Sequence, residues 1–177
     1  YAHALGVLHR DVKPSNVLVD RAGRGMLMDF GLAKEIASTE LRELTATGAF
    51  LGTPGYVSPE VLGGGAKAVG PPGDVFAFGV LFYRALTGAM PFEGEAMQSA
   101  MAVLLREPAR PSRVNPRVHA DLETICLRCL EKDPARRFPE GTTLAAELRR
   151  WLAGEPILSR PVPWWERAWR RGAKHRG

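Results

Sequence analysis

The chain has 177 residues, with 24 Lys+Arg against 19 Asp+Glu, a formal net charge of +5, and 45% hydrophobic and 24% charged residues. That is one domain's worth of chain with enough apolar residues for a core, which excludes an intrinsically disordered or collagen-like protein. Its longest apolar stretch, Val75 to Tyr83, is nine residues and far too short to span a bilayer.

In chain order, Val17–Val19 and Met26–Met28 are short apolar runs around a turn containing Asp20, Gly23 and Gly25, which predicts a small hairpin. Residues 31–60 show no clean period and are rich in Thr, Gly and Pro, the mark of a functional loop. Gly63–Gly65 and Gly70-Pro-Pro-Gly73 predict a further loop. Asp74 to Leu86 is apolar nearly all round, as expected of a helix buried on all sides. Asp74 stands at the expected N-cap and Gly88 at the expected C-cap. Helices are predicted at about 96–106, 121–131 and 142–152, punctuated by prolines. Met97 and Met101, four apart, read most simply as the packed face of the first of these, with help in docking substrates as the alternative. Cys126 and Cys129 fall on the second and lack the further ligands a structural zinc site needs, so they read as core thiols of a cytoplasmic protein. After Leu152, Gly154, Pro156, Pro161 and Pro163 read as a linker. The scattered His3, His119 and His175 suggest no metal site.

The basic charge is confined to the end of the chain. Residues 157–177 carry six basic groups against the single acid Glu166, so residues 1–156 are neutral overall. The excess describes a tail and not a nucleic-acid-binding domain, and no nucleic acid is expected as a partner. Trp164, Trp165 and Trp169 lie among Arg167, Arg170, Arg171 and Lys174. That mixture suits an anionic membrane surface, and equally a basic helix packed on the domain or simply solvated.

The chemistry sits near the start. His9-Arg-Asp-Val-Lys-Pro-Ser-Asn16 precedes the hairpin, and Asp29-Phe-Gly31 ends its second strand. Two carboxylates, an amide and a lysine are thereby placed on loops flanking a tight hairpin. Phosphoryl transfer asks for such a set, because charge spread over phosphate oxygens calls for positioning and a held Mg²⁺.

With these strings the sequence resembles the eukaryotic-type protein kinases. The resemblance extends to Gly52-Thr-Pro-Gly-Tyr56, Ser58-Pro-Glu60, Asp74-Val-Phe-Ala-Phe-Gly79 and Asp133-Pro-Ala-Arg-Arg137, and covers nearly all of residues 1–152. It implies an α+β, mostly α, kinase-like fold: a large helical lobe with one β-hairpin at the catalytic loop, followed by a linker and basic tail over 153–177. It implies Asp11 as the base for a substrate hydroxyl, Lys13 beside the transferring phosphate, and Asn16 and Asp29 as Mg²⁺ ligands for bound ATP. Gly31 would let the backbone swing, while His9 and Phe30 would pack in an apolar spine. Lys13 and Thr53 match the serine/threonine pattern, with protein Ser/Thr hydroxyls as substrate. Residues 79–92 and 128–134 look most like bacterial serine/threonine kinases. The stretch from Trp151 into the tail is similar to members in which a membrane segment follows the kinase domain, which implies a parent anchored beyond the C-terminus.

Read as residues alone, Glu60 and Arg137 are surface charges and Thr45 and Thr47 loop threonines. The resemblance instead pairs Glu60 with Arg137 as a buried ion pair. It makes Thr45 and Thr47 activation phosphosites facing Arg10, and has Asp74 bond the catalytic-loop backbone as well as cap a helix. No glycine-rich phosphate loop, no V-A-I-K strand and no adenine-binding hinge occurs in the 177 residues. Together with the missing initiator Met, this leads us to expect a fragment lacking the small lobe. Two functions are open: a serine/threonine kinase when complete, or a non-catalytic lobe remnant that binds protein partners.

Overall fold

The computed structural model describes residues 2–30, 54–63 and 70–159. A 3-10 turn at His3–Leu5 ends on Gly6 in the left-handed conformation (φ 73°), and a second at Pro14–Asn16 leads into the hairpin. Strands β1 (Val17–Val19) and β2 (Gly25–Leu27) pair antiparallel, with Leu18 opposite Met26. Asp20 fixes their turn, accepting the N–H groups of Ala22 and Arg24 and the Arg24 Nε–H. Pro54–Tyr56 forms another 3-10 turn. The helices are α1 (Pro59–Leu62), α2 (Pro71–Thr87), α3 (Ala96–Leu105), α4 (Pro111–Val114), α5 (Ala120–Cys129) and α6 (Gly141–Leu152). The described residues are thus mostly helical with one two-stranded sheet, the α+β class expected.

Helix α2 is the axle. Two packed clusters share it: Phe76, Val80 and Tyr83 meet Tyr56, Phe92, Val103, Cys126 and Leu130, while Val75 meets Ile125, Cys129, Phe138, Leu144 and Ile157. Gly79 is needed where α2 crosses α5, since a Cβ there would come within 2.6 Å of the Cys129 Cβ. Cys126 and Cys129 are both buried and free, and burial pushes both thiols up, which makes them packing groups, as read from the sequence.

Three sequence expectations need correction. Helix α2 starts earlier than expected, with Gly70 at the N-cap and Pro71 inside, so Asp74 does not cap it and lies within its first turn. A proline pair is tolerated there because the first turn's N–H groups have no intrahelical acceptor. Nor is α2 buried all round, for Arg84 and Ala85 are exposed, although Gly88 does close it in the left-handed conformation (φ 78°). Met97 and Met101 do not face the core: they are 56% and 47% exposed, and the packed face of α3 is Ser99, Ala100, Ala102 and Val103.

Candidate active site

The loop from His9 to Asn16 is positioned by Asp74. Its Oδ2 accepts the His9 backbone N–H and its Oδ1 the Arg10 N–H, both at 2.7 Å. Those bonds hold Arg10 at φ 64°, a left-handed conformation costing about 1–3 kcal/mol for a non-glycine residue. Asp29 is the other non-glycine residue at positive φ (55°) among the described residues. Backbone strain therefore marks both ends of the proposed site.

His9, 2% exposed, links those ends. Its Nε2 lies 2.8 Å from the Met28 carbonyl oxygen, which can only accept, so Nε2 carries the proton. Its Nδ1 then accepts the Asp11 N–H at 3.2 Å. The Met28 N–H donates to the Asn16 carbonyl at 2.8 Å, so the residue before Asp29 is tied to both halves of the loop. The Phe30 ring lies 4.8 Å from that of His9. The two rings pack as expected, but Phe30 remains 38% exposed and closes one wall of an apolar cavity of about 380 Å³ against Val75, Phe78 and Leu144.

Asp11, Lys13 and Asn16 come together. Lys13 Nζ is 2.8 Å from Asp11 Oδ2, and Asn16 Nδ2 donates to the Asp11 carbonyl at 2.8 Å and to Oδ2 at 3.1 Å. The Lys13–Asp11 pair is about a third exposed, so its worth lies in orientation and not stability. With its amide nitrogen engaged, Asn16 offers Oδ1, which meets Ser15 Oγ at a long 3.4 Å. An amide oxygen and the exposed Asp29 carboxylate suit a hard cation whose remaining ligands are phosphate oxygens and water. Among the described residues no cluster of three or more His, Cys, Asp or Glu forms a metal site.

Glu60 and Arg137 meet as a bidentate pair, 2.9 and 2.7 Å, with Arg137 1% exposed. Arg137 also donates to the carbonyls of Pro72, Glu131 and Lys132. Burial pushes the Glu60 carboxyl up, but the Arg137 hydrogen bonds and charge outweigh it and hold the group below its usual range. The pair locks α1 to the start of α2 and to the segment before α6.

Gly31, Thr45, Thr47, Thr53 and the tail from 160 to 177 lie outside the described residues. Arg10 is exposed. Sequence reasoning missed His3. Its Nδ1 accepts the Gly141 N–H at 3.0 Å, leaving Nε2–H to donate to Asp74 Oδ2 at 2.9 Å, so it braces the clamp against α6. No local pattern could have found it, because its partners lie 71 and 138 residues away.

A family model described as "Protein kinase domain" matches residues 1–148. The serine/threonine-protein kinase PknB of Mycobacterium tuberculosis is 36% identical over 157 residues, covering 88% of this chain and 25% of that protein. PrkC of Bacillus subtilis, also a serine/threonine-protein kinase, is 35% identical over 84% of this chain and 22% of its own length. The chain thus spans about a quarter of the length of the curated relatives it matches. A crystal structure of Rad53 1–466 in complex with AMP-PNP superposes with a TM-score of 0.61 at 27% identity, over 78% of this chain and 33% of that one. The clamp on the His9–Asn16 loop, Asp29 just beyond β2 and these likenesses agree: the chain belongs to the protein kinase family, in its bacterial eukaryotic-type serine/threonine branch.

Proposed function

We propose that these residues form the catalytic-loop side of a kinase that transfers the ATP γ-phosphoryl group to Ser or Thr hydroxyls of proteins. The observation that carries this reading is the Asp11 carboxylate, aimed by Lys13 at 2.8 Å and Asn16 at 3.1 Å on a loop clamped by Asp74. An oriented carboxylate accepts the hydroxyl's proton as the oxygen attacks, and Lys13 lies where it can offset charge on the transferring group. Asn16 and Asp29 would hold Mg²⁺, which when bound neutralises phosphate charge.

Thr45 and Thr47 are proposed as phosphosites, each adding about two negative charges for the exposed Arg10 guanidinium to meet, and Thr53 as part of the substrate-binding segment. The basic tail is proposed to lie at an anionic membrane surface, with the body in the cytoplasm. A second reading rests on the exposed apolar hairpin, where Leu18, Val19 and Met26 are 47%, 68% and 50% exposed: a partner-binding lobe without transfer activity. These 177 residues contain no glycine-rich loop, so covering and aligning the phosphates is not work they do. That alignment can be worth about 7–11 kcal/mol, and residues 1–177 by themselves are expected to transfer poorly.

The test is transfer from labelled ATP to a generic basic protein, by residues 1–177 and by a chimera in which they complete a kinase domain. Asp29→Ala serves as the control. Transfer by the chimera that the control abolishes supports the kinase reading. A chimera that folds, binds nucleotide and transfers nothing leaves the partner-binding lobe.

A further inference from the structure

The end of helix α6 is tied to the start of α5 through an imidazole. His119 stands at the N-cap of α5, and its Nδ1 accepts the Asp121 backbone N–H at 3.2 Å. The Trp151 indole N–H, in the last turn of α6, reaches the same Nδ1 at 3.3 Å, and the two rings meet edge to face with centroids 6.0 Å apart. An amide N–H and an indole N–H can only donate, so Nδ1 carries no proton and the ring is the Nε2–H tautomer. The Asp121 carboxylate lies 3.9 Å from that same nitrogen. Two groups therefore need Nδ1 bare, and a third needs it protonated. The ring is 57% exposed, so protons from solvent reach it.

Trp151 packs against the cluster that contains Ile157. Ile157 is buried and brings the chain back onto the body after Gly154 turns it at φ 72°. Just beyond, the Leu158 and Ser159 N–H groups donate to Glu147 at 3.0 and 2.8 Å. The indole thus stands beside the return of the chain after α6. The other charged groups of these elements have their own places. Burial pushes the Glu147 carboxyl up, but the hydrogen bonds from Ser159 and Leu158 outweigh it and hold the group below its usual range, so it stays ionised in weak acid. Arg150 turns to the Pro156 carbonyl at 2.9 Å and the Glu155 carboxylate at 3.7 Å. On α5, Glu123 accepts the Ser112 N–H at 2.7 Å and Arg128 lies over the Phe138 ring. Arg117 and Arg149 are exposed to solvent.

We propose that His119 is a pH-sensitive switch on the end of α6: as a neutral ring it holds the Trp151 indole, and as a cation it turns to Asp121 and lets the indole go. A proton added to the neutral ring must go on Nδ1, because Nε2 already carries one. The cation then sets a donor against two donors, and both hydrogen bonds to Nδ1 are lost. The Asp121 carboxylate compensates on the α5 side, in the first turn of the helix that His119 caps. Nothing replaces the imidazole for Trp151, so the loss falls on α6 and on the return of the chain at Ile157. The closed arrangement is complete while the ring is neutral and is lost as pH falls through its titration. The switch rests on no step of the transfer reaction.

The test is NMR on the full chain, with isotope-labelled tryptophan and histidine, between about pH 8 and about pH 5, where imidazoles take up their proton. The Trp151 indole signal should move with the same midpoint as the His119 ring. Over that step the Leu158 and Ser159 amides should lose protection from exchange by at least about threefold, while Val103 keeps its own. His119→Gln supplies a side-chain oxygen that accepts without titrating, so in that variant both changes should vanish. Trp151→Phe keeps a packed ring but removes a donor that opposes the proton, and His119 should then bind its proton at least about threefold more tightly. A Trp151 signal that stays fixed while His119 titrates, or one that still titrates in His119→Gln, overturns the proposal. So does unchanged protection at Leu158 and Ser159, or a His119 midpoint that Trp151→Phe does not move.

Discussion

The helical body and the segment from residue 2 to 30 are held together by different means. Around α2 the contacts are enclosed: Phe76, Val80 and Val103 are fully buried, and the Arg137 guanidinium lies 4.9 Å from the Phe76 ring with every direction taken by an acceptor. In the hairpin segment Val12, His9 and Asn16 are buried, but Leu18, Val19, Met26 and Leu27 are exposed. Its geometry comes from a few directed hydrogen bonds to Asp74, His3 and His9. Stability is thus concentrated in one region and chemistry in the other, and substitutions should separate the two.

The largest stability effect is expected at Arg137→Met. It leaves the Glu60 carboxylate in a pocket built for a cation, and should cost about 3–5 kcal/mol in urea unfolding. Glu60→Gln should cost less, since the Arg137 guanidinium it leaves without a counter-charge keeps the carbonyls of Glu131, Pro72 and Lys132 as acceptors. The pH dependence follows from the same pair. The folded Glu60 carboxyl lies below its ordinary 4.5, so its contribution is complete above that value and is lost as pH falls through the folded pKa. A wild-type minus Glu60→Gln stability difference that stays flat between pH 5 and 3 would rule this out.

On the other side of the comparison, Asp11→Asn should lower phosphoryl transfer by at least about a hundredfold in a complete kinase domain carrying these residues. Its urea midpoint should match the wild type, because the Asp11 side chain is partly exposed and its pairing with Lys13 adds little stability. Nucleotide affinity should also be retained. Near-normal turnover by this variant would remove Asp11 as the base.

Asp74→Asn tests the joint between the regions. One carboxylate accepts the Arg10 N–H on Oδ1 and both the His9 N–H and His3 Nε2–H on Oδ2. An amide has a single acceptor oxygen, so a donor would face a donor on one side, at a cost of about 1–3 kcal/mol. Hydrogen exchange should speed first at the His9 and Arg10 amides, which sit on the strained backbone, while Val80 and Val103 keep their protection.

What the sequence made legible follows the same division. The catalytic strings and the hairpin could be read because linear motifs and short apolar runs around a turn are local signals, whereas the Glu60–Arg137 pair, 77 residues apart, came with the family. The role of Asp74 was half legible. Bonding to the catalytic-loop backbone came with the family, but the cap assignment failed, because Pro71 and Pro72 look like loop residues yet suit a helix's first turn. Met97 and Met101 show another limit. Spacing tells which residues share a helix face, while the Pro54–Tyr56 segment packed against α3 decides which face is covered. His3 was illegible, since nothing near it in sequence touches Asp74 or Gly141.

The smallest expected effect sharpens the contrast within the hairpin segment itself. Val→Thr is nearly isosteric and keeps the β-branch, so its cost reports the surroundings of one methyl group. Val19 is 68% exposed on β1, where a hydroxyl meets water, and Val19→Thr should change stability by less than about 0.5 kcal/mol. Val12 is 6% exposed between Asp11 and Lys13, and there the same hydroxyl must be desolvated, for about 1–3 kcal/mol. If burial at Val12 also sets the loop's path, Val12→Thr should lower turnover in the complete domain while Val19→Thr leaves it unchanged. Equal effects of the two substitutions would mean that the hairpin face is covered in solution, and that the apolar surface seen on β1 is already part of an interface.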